Sequence, residues 1–400
     1  MAALFFIVFL DLVGFGMIIP VLPFYAEHLG IAPSLIIFFF GLYSVGQLVG
    51  APLWGALSDR LGRRPVLLAT LAANAAANVV LAFAGNAWQL ALSRLVSGLA
   101  AGNVSIAYAY VADVTTDAER PKALGMLGAA FGLGFILGPA LGGALGGGEA
   151  GSANMTRVAL AAAVMSLLAF LATFARLQES HHEEHRAAAG AEAKGLRWRL
   201  LARIELRHLL AVTLIVVGAV SMLQGTFSLW AAEGLGVSPR HLGFVFAFIG
   251  VIAVTVQGVL MGRLSSRYAP EALTRTGILL VVVALVFIPL APNVWVSLAP
   301  MALYGVGSAL FSPSVSTLIT RTAGATERGA VLGLFQGTAS LGRVVGPMAA
   351  SGITALAGLR VPFWVAAAVS LGGAVMVHRP GGTPGAAAGD APSDVAATPP

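Results

Sequence analysis

The sequence predicts an all-α membrane protein of twelve transmembrane helices, arranged as two parallel six-helix repeats, and three observations predict it. Apolar residues make up 58% of the 400 residues and charged residues only 10%, against roughly 25% charged in an ordinary soluble chain. No aqueous globule has interior enough to hide that much hydrocarbon. The apolar residues fall into twelve runs, each near the ~20 residues that cross a ~30 Å hydrocarbon core. The two halves of the chain also repeat one another.

Cutting at charges and turn residues places the spans at 2–24, 35–57, 65–84, 87–111, 122–146 and 156–175, then at 208–231, 242–262, 274–290, 294–319, 328–352 and 361–378. The 49 glycines and 20 prolines lie largely within these runs, where small residues let helices approach and proline is tolerated. Met1 to Leu10 has no Lys or Arg ahead of its apolar run, so the first helix is expected to stay in the mature protein. The chain therefore reads as an N-terminal bundle (1–175), a cytoplasmic linker (176–207), a C-terminal bundle (208–378) and a flexible Pro/Gly/Ala-rich cytoplasmic tail (379–400). The linker carries His181, His182, Glu183, Glu184 and His185. That cluster could hold a divalent cation, but without a rigid frame it reads as a solvated run, and no metal is expected.

Basic residues set the orientation. Of 23 Lys and Arg, eighteen fall in loops and tail on one side. Arg157, Arg240 and Arg360 fall on the other, and Arg94 and Arg343 lie within spans. The positive-inside rule then puts both termini in the cytoplasm of a multi-pass inner-membrane protein. The net charge of +6 is scattered rather than gathered into a patch, so no nucleic-acid partner is expected. Zero cysteines exclude disulfides, thiolate metal sites and a cysteine nucleophile. No Walker loop, nucleophile elbow or His-Glu-x-x-His run is present, so neither an enzyme nor a cofactor is expected.

The internal repeat is explicit. Glu119-Arg120, Gly125 and Gly138-Pro139 recur as Glu327-Arg328, Gly333 and Gly346-Pro347 at a constant offset of 208. Gly55-Ala-Leu-Ser-Asp59-Arg60 recurs as Gly262-Arg263-Leu-Ser-Ser266-Arg267 at 207. Six spans per repeat, an even number, gives parallel repeats about an axis along the membrane normal, with room for a central cavity.

Gly55-Ala-Leu-Ser-Asp59-Arg60-Leu-Gly62-Arg63-Arg64-Pro65 joins the second and third spans. It resembles the signature loop of the major facilitator superfamily. With Leu10-Asp11-Leu-Val-Gly14-Phe-Gly16-Met-Ile-Ile-Pro20-Val-Leu-Pro23, the chain resembles the tetracycline-type drug:proton antiporters in particular, over both halves. That resemblance implies the major facilitator fold and a cytoplasmic gate at Gly55, Asp59, Arg60, Gly62, Arg63 and Arg64. There Asp59 would clamp helix ends of the two halves together when the carrier faces outward, as a carboxylate near helix N-termini and guanidinium groups can. Alternatively, the arginines only anchor topology. Gly134, Gly138, Pro139 and Gly142 resemble the superfamily's antiporter motif. They also read simply as a tight-packing face, with glycines at i, i+4 and i+8. Arg94-Leu-Val-Ser-Gly98-Leu-Ala-Ala-Gly102 resembles the fourth-helix motif associated with proton coupling. Where the tetracycline pumps carry a functional acid and a histidine, span 274–290 has no acid and span 242–262 no histidine, which leaves the compound open.

Charges inside spans cost ~2.5–3.5 kcal/mol each on insertion scales, so their default reading is functional. At 1.5 Å per residue, Asp11 lies ~13 Å in from the cytoplasmic side and Arg94 ~10 Å in from the periplasm. Across a ~30 Å core that leaves about 6 Å of depth between them, within an arginine's reach. Asp11 is accordingly expected to carry a coupling proton with Arg94 tuning it, the alternative being a structural ion pair. Arg343 either meets an anionic group of substrate or neutralises backbone carbonyls. Asp113 could join the gate, though an interfacial end charge is the plainer reading. Phe15, Gln47, Asn103, Gln224, Phe227, Gln257, Phe311 and Gln336 are candidates to line a substrate cavity, or else helix–helix contacts.

The function read from all this is proton-coupled efflux of a hydrophobic or amphipathic organic compound, with tetracycline or another drug exchanged for H+ by alternating access. The expected partners are a small organic substrate, protons and the lipid bilayer, and the protein is expected to be monomeric. A metabolite importer or symporter, or a non-transporting sensor on the same scaffold, is the alternative.

Overall fold

The computed structural model describes residues 1–116, 119–148, 153–180, 199–324 and 327–377, and among these there is no strand. They form twelve rods: α1 (Ala2–His28), α2 (Pro33–Leu61), α3 (Arg63–Ala82), α4 (Ala87–Val114), α5 (Arg120–Gly146), α6 (Met155–Arg176), α7 (Ile204–Leu235), α8 (Pro239–Arg267), α9 (Pro270–Leu290), α10 (Val294–Arg321), α11 (Arg328–Ala357) and α12 (Val361–Met376). Ten are long and apolar enough to cross a bilayer, and α12 is apolar but shorter. His181, His182, Glu183, Glu184, His185 and the 379–400 tail lie outside the described residues.

Several rods outrun the apolar spans by a turn, as α2 does to Leu61 and α8 to Arg267, because polar residues continue the helix there; other ends are set by caps. Asn86 and Asn293 accept hydrogen bonds from the Gln89 and Val296 amides at 3.0 Å, each filling an orphan donor of a first turn. Two residues after each cap stands a tryptophan, Trp88 or Trp295, 75% and 72% exposed. Caps and indoles thus repeat between the halves at one level, where a membrane interface favours an amphipathic ring. Apolar side chains such as Leu53, Phe83, Phe174 and Val259 face outward on the same rods, as a lipid-bathed surface requires.

Packing repeats with the sequence. α1 packs on α5 and α6, α2 on α4, and α3 on α6; six helices later α7 packs on α11 and α12, α8 on α10, and α9 on α12. The two largest contacts between the bundles are α2 with α11 and α5 with α8, which exchange under the same six-helix shift; α7 touches α1 and α2 as well. The arrangement is a two-fold about an axis between the bundles.

Along that axis the two rims differ. At the rim away from the α2–α3 loop, Gly143 and Gly243 meet across α5 and α8, so that a Cβ on either would stand 2.9 Å from the other's Cα. Close by, Ser351 Oγ of α11 donates to the Ser34 carbonyl of α2 at 2.8 Å. At the opposite, arginine-rich rim, Gly125 and Gly128 of α5, Gly258 and Gly262 of α8, and Gly333 and Gly337 of α11 have nothing within 4 Å of where a Cβ would sit. The molecule is closed at one rim and open at the arginine-rich one.

Candidate functional site

Three cavities are lined by both bundles: one of about 620 Å³ lies at the closed rim between Ser34 of α2, Trp230 of α7 and Thr354 of α11, and two adjoining ones lie deeper. One of about 360 Å³ is lined by Asp11 and Phe15 of α1, Tyr43 and Gln47 of α2, Arg94 of α4, Gln224 of α7, and Gln336 and Arg343 of α11. A larger one, about 850 Å³, shares Ile19, Tyr108, Phe131, Phe135 and Gln224 with it, and runs between α5 and α8 past Gln257. Both lie in the 300–1,000 Å³ range of small-molecule sites.

Helix breaks and close approaches place the charged groups. α1 stops at Ile18 and resumes at Leu22, because Pro20 has no N–H to continue the ladder. Below the break α1 lies directly on α5. A Cβ on Gly138 would stand 2.8 Å from the Gly16 Cα, and one on Gly134 would stand 2.6 Å from the Leu12 Cβ. Gly134, Gly138 and Gly142 therefore form the seat for α1, and by fixing the rotation of Leu12 and Val13 they fix that of Asp11. α4 breaks at Ala101–Gly102, and Trp54 Nε1 donates to the Leu99 carbonyl at 2.6 Å, satisfying an acceptor beside the break. Gly46 and Gly98 bring α2 and α4 into backbone contact. That contact carries Tyr43 towards Arg94.

Asp11 and Arg94 share the cavity but form no ion pair. Asp11 is 9% exposed, and its Oδ1 accepts from Asn74 Nδ2 of α3 at 3.1 Å; that amide nitrogen also lies 3.3 Å from Ser166 Oγ of α6. Arg94 is 3% exposed, and its Nε and Nη2 are buried with no partner. The depth estimate puts both groups in one chamber, yet the carboxylate is held by a neutral amide and not by the guanidinium. Arg343 donates from Nη2 to Ser340 Oγ at 2.9 Å, one turn away on its own helix, and otherwise faces the cavity. Tyr43 lies within electrostatic reach of Asp11, Arg94 and Arg343 together.

Phe15, Gln47, Gln224, Gln336 and Arg343 are thus brought together, and Gln257 lines the neighbouring space. Three expected residues are not. Phe227 packs against Trp230 and Phe246 at 6.0 Å between ring centroids, Phe311 sits in the core of the second bundle, and Asn103 is 3% exposed just past the α4 break. An amide or aromatic at mid-depth has only one face of its helix towards the cavity, and those three side chains lie on other faces. Sequence reasoning missed Tyr43, Asn74, Phe131 and Phe135. Tyr43 could have been found as the residue one turn before Gln47, and Asn74 as an amide inside an alanine run.

At the open rim, Arg63 is 7% exposed and ties the signature loop into its own half. Its Nε donates to Asp113 Oδ2 at 2.9 Å, and its Nη1 donates to Ser58 Oγ at 2.7 Å and also to Asp59. Asp113 therefore belongs to this cluster. The Asp59 side chain stays 61% exposed, and Arg60 is exposed beside it. Glu179, just past α6, accepts from the backbone amides of Arg63 at 2.8 Å and Arg64 at 3.1 Å, capping α3. Gly62, at φ 103°, leaves the room: a Cβ there would stand 2.5 Å from Glu179 Oε2. Arg64 donates to the Phe174 carbonyl at 2.7 Å and lies 5.6 Å over that ring. Gly55 faces open space.

Comparison with known proteins agrees with this architecture. The profile of the Major Facilitator Superfamily matches residues 4–299 and, a second time, 209–394. A class G tetracycline resistance protein of Vibrio anguillarum is 31% identical over 368 residues, covering 90% of each chain. The quinolone resistance protein NorA of Staphylococcus aureus (strain COL) is 24% identical over 94% of each. The crystal structure of the human organic anion transporter MFSD10 (TETRAN) superposes with a TM-score of 0.69 at 26% identity, over 94% of this chain and 98% of that one.

Proposed function

We propose, for a chain that belongs to the Major Facilitator Superfamily, that it exports an amphipathic organic compound across the inner membrane in exchange for protons. The arginine-rich rim is cytoplasmic under the positive-inside rule, so the open chamber faces inward. Residues 1–175 and 208–378 are the two rocking bundles, 176–207 connects them, and a single copy of the chain holds the whole pathway.

One observation carries the reading: a buried carboxylate, Asp11, lines the central chamber, and Arg94 lines the same chamber without pairing with it. Charges at that depth are costly and mark ion pathways. A carboxylate whose counter-charge can be withdrawn or restored by helix movement can be loaded with a proton in one state and emptied in the other. Antiport follows if the substrate places a group on Asp11 that cannot coexist with the proton. The apolar walls suit an amphipathic body, and relatives named for tetracycline and quinolone resistance support the efflux direction. Arg63, held within its own half in the inward-open state, releases Asp59 to reach the second bundle when the cytoplasmic rim closes.

The test is transport into inverted membrane vesicles. With a proton gradient imposed, a panel of amphipathic drugs should include compounds that collapse the gradient on addition. A panel that leaves it untouched, or that moves only down its own gradient, would contradict efflux by proton exchange.

A further inference from the structure

The charge balance of the chamber constrains what it carries. Among the described residues lining it, Asp11 is the single acid, whereas Arg94 of α4 and Arg343 of α11 are both present. The other titratable groups in it are Tyr43 and Tyr108, and α3, α5 and α6, which surround Asp11, contribute none. Even if Asp11 engages Arg94 in another state, one guanidinium stays without a counter-charge. In this state the Arg94 Nε and Nη2 are unpartnered, and Arg343 has one hydroxyl of its own helix. Buried charges are kept where something pairs with them.

The repeat shows that this cation is a local departure. In α5 the run is Gly134-Phe135-Ile-Leu-Gly138-Pro139, and in α11 it is Gly342-Arg343-Val-Val-Gly346-Pro347. Phe135 and Arg343 are equivalent positions, and both line the chamber. The fold accepts an aromatic ring at this place, so packing does not demand the guanidinium.

We propose that the transported compound is amphoteric: an acidic head, carboxylate or an equivalent oxyanion, is bound between Arg94 and Arg343, and a basic centre faces Asp11. The second half of this rests on the antiport reading. An acid alone would repel ionised Asp11 and so bind together with the proton, which gives co-transport; exchange needs a cationic centre that competes with the proton for Asp11. Because Arg94 belongs to the first bundle and Arg343 to the second, the acid also bridges the two halves that must close around it.

Three probes with one aromatic body separate the parts: a piperazinyl quinolone carboxylic acid, its methyl ester, and its N-acetyl derivative. Binding is measured by equilibrium dialysis with the purified chain. The amphoteric acid should bind about tenfold more tightly than the ester, as expected for charge-assisted hydrogen bonds. Arg343→Phe, which installs the residue of the other half and leaves Arg94 as the single cation, should cut that ratio severalfold, and Arg343→Lys should restore part of it. The N-acetyl acid should bind more tightly as pH falls, the amphoteric acid less tightly. Equal binding of acid and ester, an unchanged ratio in Arg343→Phe, or binding of none of the three would overturn the assignment. Failure of the efflux reading looks different: the acid-to-ester ratio would persist while no probe moved against its gradient in exchange for protons.

Discussion

The two bundles share a fold and a packing plan but not their chemistry. In the first, α1 and α4 are broken, at Pro20 and at Ala101–Gly102. Their counterparts α7 and α10 run unbroken over 32 and 28 residues. The first holds Asp11, Arg94 and the Asn74 amide, and the second contributes Arg343 as its one charged group beside the Gln224 and Gln336 amides. At the open rim the first has Arg63 joined to Asp59, Asp113 and Ser58. The repeated loop has Ser266 where the first has Asp59, and Ser265 and Ser266 bond only to carbonyls of their own turn. The two walls therefore share a plan, but the first carries Asp11, Arg94 and the Arg63 cluster while the second carries Arg343.

That asymmetry can be broken where it is largest. Arg63→Gln removes charge-assisted bonds worth roughly 1.5–3 kcal/mol each, enough to move an equilibrium between two states about ten- to a hundredfold. Turnover in vesicles should fall by that order with expression intact. Arg267→Gln, on the loop that repeats it, should stay within about twofold of the parent, as surface changes away from such features do. Equal losses in both would mean that the two halves of the open rim work symmetrically.

A smaller effect sharpens the same comparison. On the second side two looser pairs stand in place of the signature network: Arg203 of the linker donates to Glu327 at 2.8 and 2.9 Å and to the Thr322 carbonyl at 2.9 Å, and Arg321 lies 3.9 Å from Glu271. Hydrogen bonding from Arg203 holds the Glu327 carboxyl below its usual range. A depressed carboxylate contributes stability that is present above the ordinary carboxylate range and lost as pH falls through the lowered value. Arg203→Gln should thus lower the melting temperature slightly at neutral pH and in low salt, with the difference fading in acid and in high salt. A large, salt-independent loss would show that this pair matters as much as the Arg63 cluster.

The fold was legible because a bilayer leaves few choices: apolar runs of span length must be helices, and the Gly-Pro repeat with its offset of 208 fixes how six-helix units relate. The chamber was legible in part. Asp11, Arg94 and Arg343 stand out because charge inside hydrocarbon is costly whatever surrounds it. Phe227 and Phe311 misled because an aromatic ring carries no sign of which face of a membrane helix meets its neighbour. Asn74 was invisible as a partner of Asp11, since the contact joins residues 63 apart in sequence and depends on how α3 and α6 pack. The Pro20 break could be suspected from the residue alone, whereas the α4 break at Ala101–Gly102 follows no proline and depends on Trp54 taking the Leu99 carbonyl.

The central claim is that Asp11 is where proton and substrate exchange. Asp11→Asn keeps the side-chain volume and a hydrogen-bonding group opposite Asn74 but cannot ionise. In inverted vesicles with an imposed pH gradient, accumulation of a compound that the parent concentrates should fall to the level of passive equilibration, and equilibrium binding of that compound should lose its pH dependence. Accumulation against a gradient by Asp11→Asn, with the pH dependence of binding intact, would place the proton on another group and contradict the account.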